Sequence, residues 1–295
     1  MNFDPAAAMP TEERAMSKRL ADELTTLISL AAAAVMAIDR STAAPRFKSD
    51  LSPVTAADEA AHRVIVDGLA RLMPGVPVVS EEAHGSQPTP GSTFILVDPL
   101  DGTREYIAGR DEFTVNIALV RQGTPVFGCI AAPMHGLIWR GGTGSGAERL
   151  EIPAGQDVKS CRRAIEIRTR RLGERDRLVT VSRSHLDPQT ERLLAQLPNT
   201  TRIRCGSSLK FCRIAEGSGD FYPRLAPTHE WDIAAGHAIL AAAGGLVVTP
   251  SGGTLSYGHS GDHFIVKGFL AMGDRTAAQQ IVSIAQSAAR SDHHD

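Results

Sequence analysis

The apolar positions of this chain change period several times, and each change marks an element. From Ser17 to Asp39 the stretch containing LADELTTLISLAAAAVMAI repeats its apolar residues at helical spacing among good helix formers, predicting a long amphipathic helix. The polar segment STAAPRFKSDLSP, with Pro45 inside it, interrupts that pattern. Thr55 then reads as the N-cap of a second helix, ADEAAHRVIVDGLARLM, with Asp58 at its third position. A capping box explains Asp58 on its own. The helix ends before Pro74-Gly75. Two short apolar runs follow, Val76–Ser80 and Phe94–Val97, and both read as buried strands. The first runs into Glu81-Glu82 and the second into Asp98-Pro99-Leu100-Asp101, so two strands each end in acids.

After Tyr106, the segments FTVNIALVRQG, TPVFGCIAAP and GLIWRGGTGSGAERL alternate strand and turn, predicting an antiparallel sheet. The glycines at 141–146 form a hairpin tip, since no lysine and no helical pattern follow to make a phosphate loop. The polar, arginine-rich stretch Ile152–Arg177 is predicted to be a mobile junction between two halves. From Leu178 strands and helices alternate: LVTVS, a helix ending at Leu197, TRIRC, and then Gly206-Ser207-Ser208-Leu209-Lys210 opening a further helix. Asp232 stands at another helix start, ahead of small residues that allow close packing. The fold class expected is α/β (α+β), divided into an N-terminal half, 17–150, and a C-terminal half, 178–285.

Composition narrows the function. Among 295 residues, 42% hydrophobic and 22% charged suit a globular chain. A formal charge of -2 offers duplex nucleic acid no basic face, so a phosphate ligand must be met by local charge or a metal. The four cysteines lack CxxC or zinc spacing and read as reduced thiols. No apolar run is long enough to span a bilayer and the acidic start is no signal peptide, so a cytoplasmic location is expected.

The chemistry gathers at TFILVDPLDGTREY, residues 93–106. Pro99 fixes φ and ends the ladder, predicting a turn where Asp98 and Asp101 sit. Gly102 permits close backbone approach to a ligand, and Thr103 can cap the helix that follows. An Asx-type turn could use such acids merely to satisfy backbone donors. Two acids here, with Glu81 at the neighbouring strand end, favour a hard divalent cation, and the Leu100 carbonyl is a fourth donor. With Asp232 added, the set suits two or three Mg²⁺ ions directing water in line at a phosphate ester, with Thr103 and Asp58 orienting and deprotonating that water. No serine, cysteine or histidine arrangement demands a covalent intermediate. Lys210, in the first turn of a helix where the dipole disfavours a cation, hints at an anion partner. His185 by itself reads equally well as a capping or surface residue.

Taken together, VDPLDGTREY, SEE and EWDIAAGHAILAAAGG resemble the lithium-sensitive, magnesium-dependent phosphatase superfamily that includes inositol monophosphatase. Further matches, SPVTAAD at 52–58, EFTVNIALV at 112–120, SRSH at 182–185, GSSLKFC at 206–212 and YPR at 222–224, resemble its bacterial 3'(2'),5'-bisphosphate nucleotidases. The matches span roughly residues 50 to 245 and are jointly far more specific than any one motif. The resemblance implies a layered αβαβα sandwich and hydrolysis of adenosine 3',5'-bisphosphate to AMP and phosphate. The sulfonated analogue is a second possible substrate, and the implied role lies in sulfur assimilation and nucleotide recycling. It implies that Glu81, Asp98, the Leu100 carbonyl, Asp101 and Asp232 ligate metal and that Asp58 and Thr103 activate water. It also implies that the Gly102-Thr103 backbone holds the scissile phosphate while Ser182, His185, Gly206 and Lys210 face the nucleotide, with Arg224 an added anion contact. A monomer or homodimer fits, as does peripheral association with the inner membrane face. Rival readings are an inositol monophosphatase or sugar bisphosphatase with the same metals, and a non-catalytic nucleotide- or metal-binding regulator. Arg104-Glu105, where the inositol enzymes usually carry Thr-Asn, weighs against the first.

Overall fold

A computed structural model describes residues 11–40, 45–48, 53–83, 87–172, 177–184 and 186–290. The chain opens with helix α1 (Thr11–Met36), then a ribbon of β1 (Arg46–Phe47) and β2 (Pro53–Val54), then helix α2 (Ala56–Leu72). The predicted capping box forms at the start of α2. Thr55 Oγ1 accepts from the Ala57 amide at 3.2 Å, and Asp58 Oδ2 accepts from the Thr55 amide at 2.7 Å.

Seven strands follow and lie side by side in chain order: β3 (Val78–Ser80), β4 (Thr93–Asp101), β5 (Thr114–Arg121), β6 (Thr124–Ala132), β7 (Leu137–Gly142), β8 (Gly146–Glu151) and β9 (Arg163–Glu166). Only β3 and β4 are parallel; the rest form an antiparallel meander. A short helix α3 (Thr103–Ile107) joins β4 to β5, and the glycine cluster is the β7–β8 hairpin. The second half contributes β10 (Arg177–Ser182), α4 (Pro188–Ala195), β11 (Thr200–Cys205), α5 (Leu209–Ala215) and β12 (Phe221–Arg224). It continues with β13 (Thr228–His229), α6 (Ala234–Ala242), β14 (Leu246–Val248), β15 (Ile265–Val266), β16 (Phe269–Met272) and α7 (Ala278–Arg290). Its sheet has the order β11-β10-β12-β16-β14, with β10 parallel to both β11 and β12.

Side-chain alternation along the strands sets the layers. Ile95 and Val97 of β4 face α1 and α2, burying Leu24, Ile28, Ile65 and Leu69, whereas Phe94 and Leu96 face the opposite side and join Phe211, Ala235 and Ile239. That second cluster continues to Tyr222, Phe269 and Ala271 of the second sheet. The other face of the second sheet buries Val179, Phe221 and Leu270 against Leu193 of α4 and Ile281 of α7. The result is helices, sheet, helices, sheet, helices: the layered αβαβα sandwich expected. The middle layer sits tight because its contact positions are small. A Cβ at Gly128 of β6 would lie 2.2 Å from the Ala235 carbonyl oxygen of α6.

Three local expectations need correction. Helix α1 starts at Thr11, six residues earlier than Ser17, and stops at Met36. The arginine-rich stretch is no mere junction: it carries β9, an edge strand with Arg163 and Ala164 exposed, and polar residues are what an edge strand needs to avoid further pairing. Nor does Pro99 end the ladder. Strand β4 runs on to Asp101, with a bulge between Asp98 and Asp101, and pairing resumes at Asp101 with Thr114. A bulged residue needs no ladder donor, so proline fits there.

Candidate metal and phosphate site

The acids converge where β3 and β4 end. Glu81 follows β3, Asp98 sits in the β4 bulge, and Asp232 closes the 3-10 turn Glu230–Asp232 ahead of α6. Among the described residues, Glu81, Asp98 and Asp232 each place one carboxylate oxygen within 4.8 Å of the others. Every acid in the group has a neighbour that fixes its orientation. The Leu100 amide donates to Asp98 Oδ1 at 3.0 Å, and the His229 amide donates to Asp232 Oδ2 at 3.1 Å alongside the Thr228 hydroxyl. Asp101 is outside the tightest triad. Ser208 Oγ donates to its Oδ2 at 2.7 Å, and Asn116 donates to Ser208 at 2.9 Å.

Crowded carboxylates out of water resist ionising. Burial, then the charges of Glu81, Asp101 and Asp232, push Asp98 well above the usual carboxylate range. Burial and the charges of Asp232 and Glu82 raise Glu81 to about 8, against the pull of Lys48. Burial and Asp232 raise Asp101 to about 6, opposed by Lys210 and Ser208. Lys48 Nζ bridges Glu81 Oε1 at 2.9 Å and Glu82 Oε1 at 2.5 Å. A set of hard oxygen donors that repel one another and draw in a lysine fits a divalent cation by charge and by donor chemistry.

Asp58 and Thr103 meet at the edge of this group. Thr103 Oγ1 donates to Asp58 Oδ1 at 3.0 Å and lies 3.1 Å from the Leu100 carbonyl, while Asp58 Oδ2 accepts from Thr55 Oγ1 at 2.6 Å. Burial raises the Asp58 carboxyl, and the Thr55 and Thr103 bonds partly offset this. The capping box therefore has a second use: it locks the carboxylate so that its other oxygen faces Thr103. The expected capping role of Thr103 is not seen. Gly102 is the N-cap of α3 at φ +92°, where a side chain would be strained, and the Thr103 side chain turns to Asp58 instead.

A cavity of about 260 Å³ opens over these groups. Glu81, Asp98, Asp101, Gly102 and Thr103 line it together with Ser182, Gly206, Lys210 and Arg224. Every expected site residue among the described ones, except Asp58 beneath Thr103, thus lines one cavity. His185 lies outside the described residues. Lys210 is buried and donates to the Ser207 carbonyl at 2.5 Å and the Cys205 carbonyl at 3.4 Å, with its ammonium 5.1 Å from the Tyr222 ring centroid. Sequence reasoning passed over Ser207. It holds a left-handed φ of +45°, lines the cavity, and its buried Oγ has no hydrogen-bond partner among the described residues. Non-glycine residues in that region concentrate at ligand sites, and no sequence signal marks a serine that adopts it.

The chain is similar to known proteins in sequence and in fold. The chain is 44% identical over 217 residues to the 3'(2'),5'-bisphosphate nucleotidase CysQ of Escherichia coli K12, covering 71% of this chain and 81% of the relative. The protein of the same name from Haemophilus influenzae is 31% identical, over 75% and 82% of the two chains. Among solved structures, CysQ from Bacteroides thetaiotaomicron superposes with a TM-score of 0.71 at 31% identity, over 88% of this chain and 98% of that one. An IMPase from Thermotoga maritima shares the fold with a TM-score of 0.73 at 23% identity, over 93% and 99%. Residues 10–289 match the model of the inositol monophosphatase family, and the chain belongs to that family.

Proposed function

We propose that this protein hydrolyses adenosine 3',5'-bisphosphate to AMP and phosphate by direct attack of water. The observation that carries the proposal is a single cavity lined both by the acids and Thr103, whose hydroxyl bonds Asp58, and by Ser182, Gly206, Lys210 and Arg224. The names of the relatives point to the same substrate class. In this reading 17–150 supplies most metal ligands, and 178–285 supplies Asp232 and the nucleotide wall.

Glu81, Asp98, the Leu100 carbonyl, Asp101 and Asp232 would hold two or three Mg²⁺ ions. Bound Mg²⁺ lowers the pKa of water and neutralises phosphate and leaving oxygens. Asp58, held by Thr55, accepts a proton through Thr103, whose hydroxyl orients the attacking water. Gly102 and Thr103 present their backbone to the scissile phosphate. Lys210 and Arg224 supply positive charge for the second phosphate, and Ser182, His185 and Gly206 complete the wall. Four unpaired thiols fit a reducing, cytoplasmic setting. Among the described residues no helix is long and apolar enough to cross a membrane.

The deciding experiment measures Mg²⁺-dependent phosphate release from adenosine 3',5'-bisphosphate, inositol 1-phosphate and fructose 1,6-bisphosphate side by side. We expect strong preference for the nucleotide, with AMP as product. Preference for inositol 1-phosphate would overturn the nucleotide assignment, and no release from any of the three would overturn the hydrolase.

A further inference from the structure

Two carboxylates from the metal-binding half reach across to the other half: Glu105, which lines the cavity, and Glu112, which does not. Glu112, in the loop between α3 and β5, receives Arg183 Nε at 2.5 Å on Oε2 and Arg183 Nη2 at 2.8 Å on Oε1, a two-pronged pair. The same Oε2 accepts the Gly206 amide at 3.1 Å, and Arg183 Nη2 also donates to the Arg204 carbonyl at 3.0 Å. One glutamate thereby ties together the ends of β10, whose last residue is Ser182, and β11, which Gly206 follows. Glu105 of α3 adds a second tie: it is buried, accepts from the Ser184 hydroxyl, and has Arg110 3.9 Å away.

The fit is close. A Cβ at Gly206 would lie 2.5 Å from the Glu112 carbonyl oxygen, 2.9 Å from Glu112 Cβ and 3.1 Å from Glu105 Cγ. Burial alone would raise the Glu112 carboxyl, but the Arg183 guanidinium and the Gly206 amide hold it below the usual carboxylate range. Glu112 is thus ionised wherever a phosphatase would work. Loops that follow parallel strands have no ladder of their own, so their position depends on ties of this sort.

We infer that the Glu112–Arg183–Gly206 tie, supported by Glu105–Ser184, is the positioning device that sets the nucleotide wall against the metal half. It thereby acts on substrate affinity rather than on the phosphoryl-transfer step. The inference rests on the proposal that Ser182, Gly206 and Lys210 face the nucleotide. Glu112 and Arg183 are not cavity-lining residues and are positioning residues. Arg183 is 36% exposed but Glu112 only 15%, so a thermal melt of each variant checks that the fold stays in place before its kinetics are read.

The test compares Glu112→Ala, Arg183→Ala and the double variant on adenosine 3',5'-bisphosphate and on inositol 1-phosphate, a small ester with no nucleoside. We expect KM for the nucleotide to rise about tenfold in each variant, a displacement penalty well within what misplaced binding groups cost. The double variant should be no worse than either single one. We expect kcat for the nucleotide, and both constants for the small ester, to stay within about twofold of the parent on the same reasoning. Arg183→Lys, which keeps the charge but loses the fork, should recover only part of the KM. Equal losses on both substrates, or an unchanged nucleotide KM, would overturn the inference. A wild-type protein with no preference for the nucleotide would overturn it too, by removing the functional reading beneath it.

Discussion

Replacing Asp98 by asparagine should stabilise the metal-free protein and abolish its response to Mg²⁺. Asn keeps an oxygen for the Leu100 amide, so the bulge retains its tie, and only the charge is lost. With Glu81, Asp98 and Asp232 oxygens within 4.8 Å of one another, each ionised pair repels by about 3.5 kcal/mol at the effective dielectric of about 20 suited to such sites. Asp98 takes part in two of the three pairs, a gross repulsion of about 7 kcal/mol. Proton uptake by the remaining acids and relaxation absorb much of it, and burying the new amide costs about 1 kcal/mol. A net gain of about 2 kcal/mol, or about 4 °C in Tm for a chain of this size, is the expected remainder. It should appear at alkaline pH, where both Glu81, raised to about 8, and Asp98, held well above the usual carboxylate range, are ionised. In excess Mg²⁺ the order reverses. A ligand at a hundred times its Kd stabilises the parent by about 2.7 kcal/mol, and the variant forgoes this. Paired melts in EDTA and in Mg²⁺ settle the matter, with phosphate release as a second readout. A variant that melts below the parent in EDTA and keeps the full Mg²⁺ shift would refute the electrostatic reasoning and the ligand assignment together.

Thr103→Val should cut kcat by about a hundredfold or more and Thr103→Ser by far less, since general-base positioning is worth that order; stopped assays on the nucleotide check it. Without metal, Glu81 and Asp101 have folded pKa values of about 8 and about 6, above their ordinary 4.5 and 3.8. The folded state therefore binds more protons, and stability in EDTA should fall as pH rises from about 4 to about 8, a slope that Mg²⁺ flattens; a flat EDTA profile would contradict the shifts. Gly128→Val should lower stability by about 1–3 kcal/mol or more, because its side chain meets the Ala235 carbonyl of α6; thermal melts monitored by circular dichroism would show it.

The features legible in the sequence were those with a local signature. Period gave the helices and most strands, and the acids following β3 and β4 announced a cation because strand ends are where a sheet presents side chains to a ligand. Asp58 is ambiguous on its own, since a capping box accounts for it; in the structure one of its oxygens accepts from Thr55 and the other from Thr103. The features that stayed hidden join segments far apart. Nothing near Lys48 tells that it will sit on Glu81 and Glu82, and nothing near Glu112 points to Arg183. The bulge at Pro99 reads as a stop in the sequence because a proline's missing donor looks the same in a turn and in an irregular ladder. Ser207 carries its signal in φ, which a residue name does not reveal.

The wide spacing of the acids along the chain also bears on how the protein is made. Residues emerge in order during synthesis, and domains tend to fold as they appear. Glu81, Asp98 and Asp101 leave the ribosome long before Asp232, and before Lys210 and Arg224, the cations whose charge offsets that of Asp101. A nascent first half therefore exposes a concentrated negative charge with no completed cage for a cation. On the proposed reading, a metal that binds only the finished cage would favour the complete topology over any partly assembled chain, and divalent ions would bear on folding as well as on catalysis.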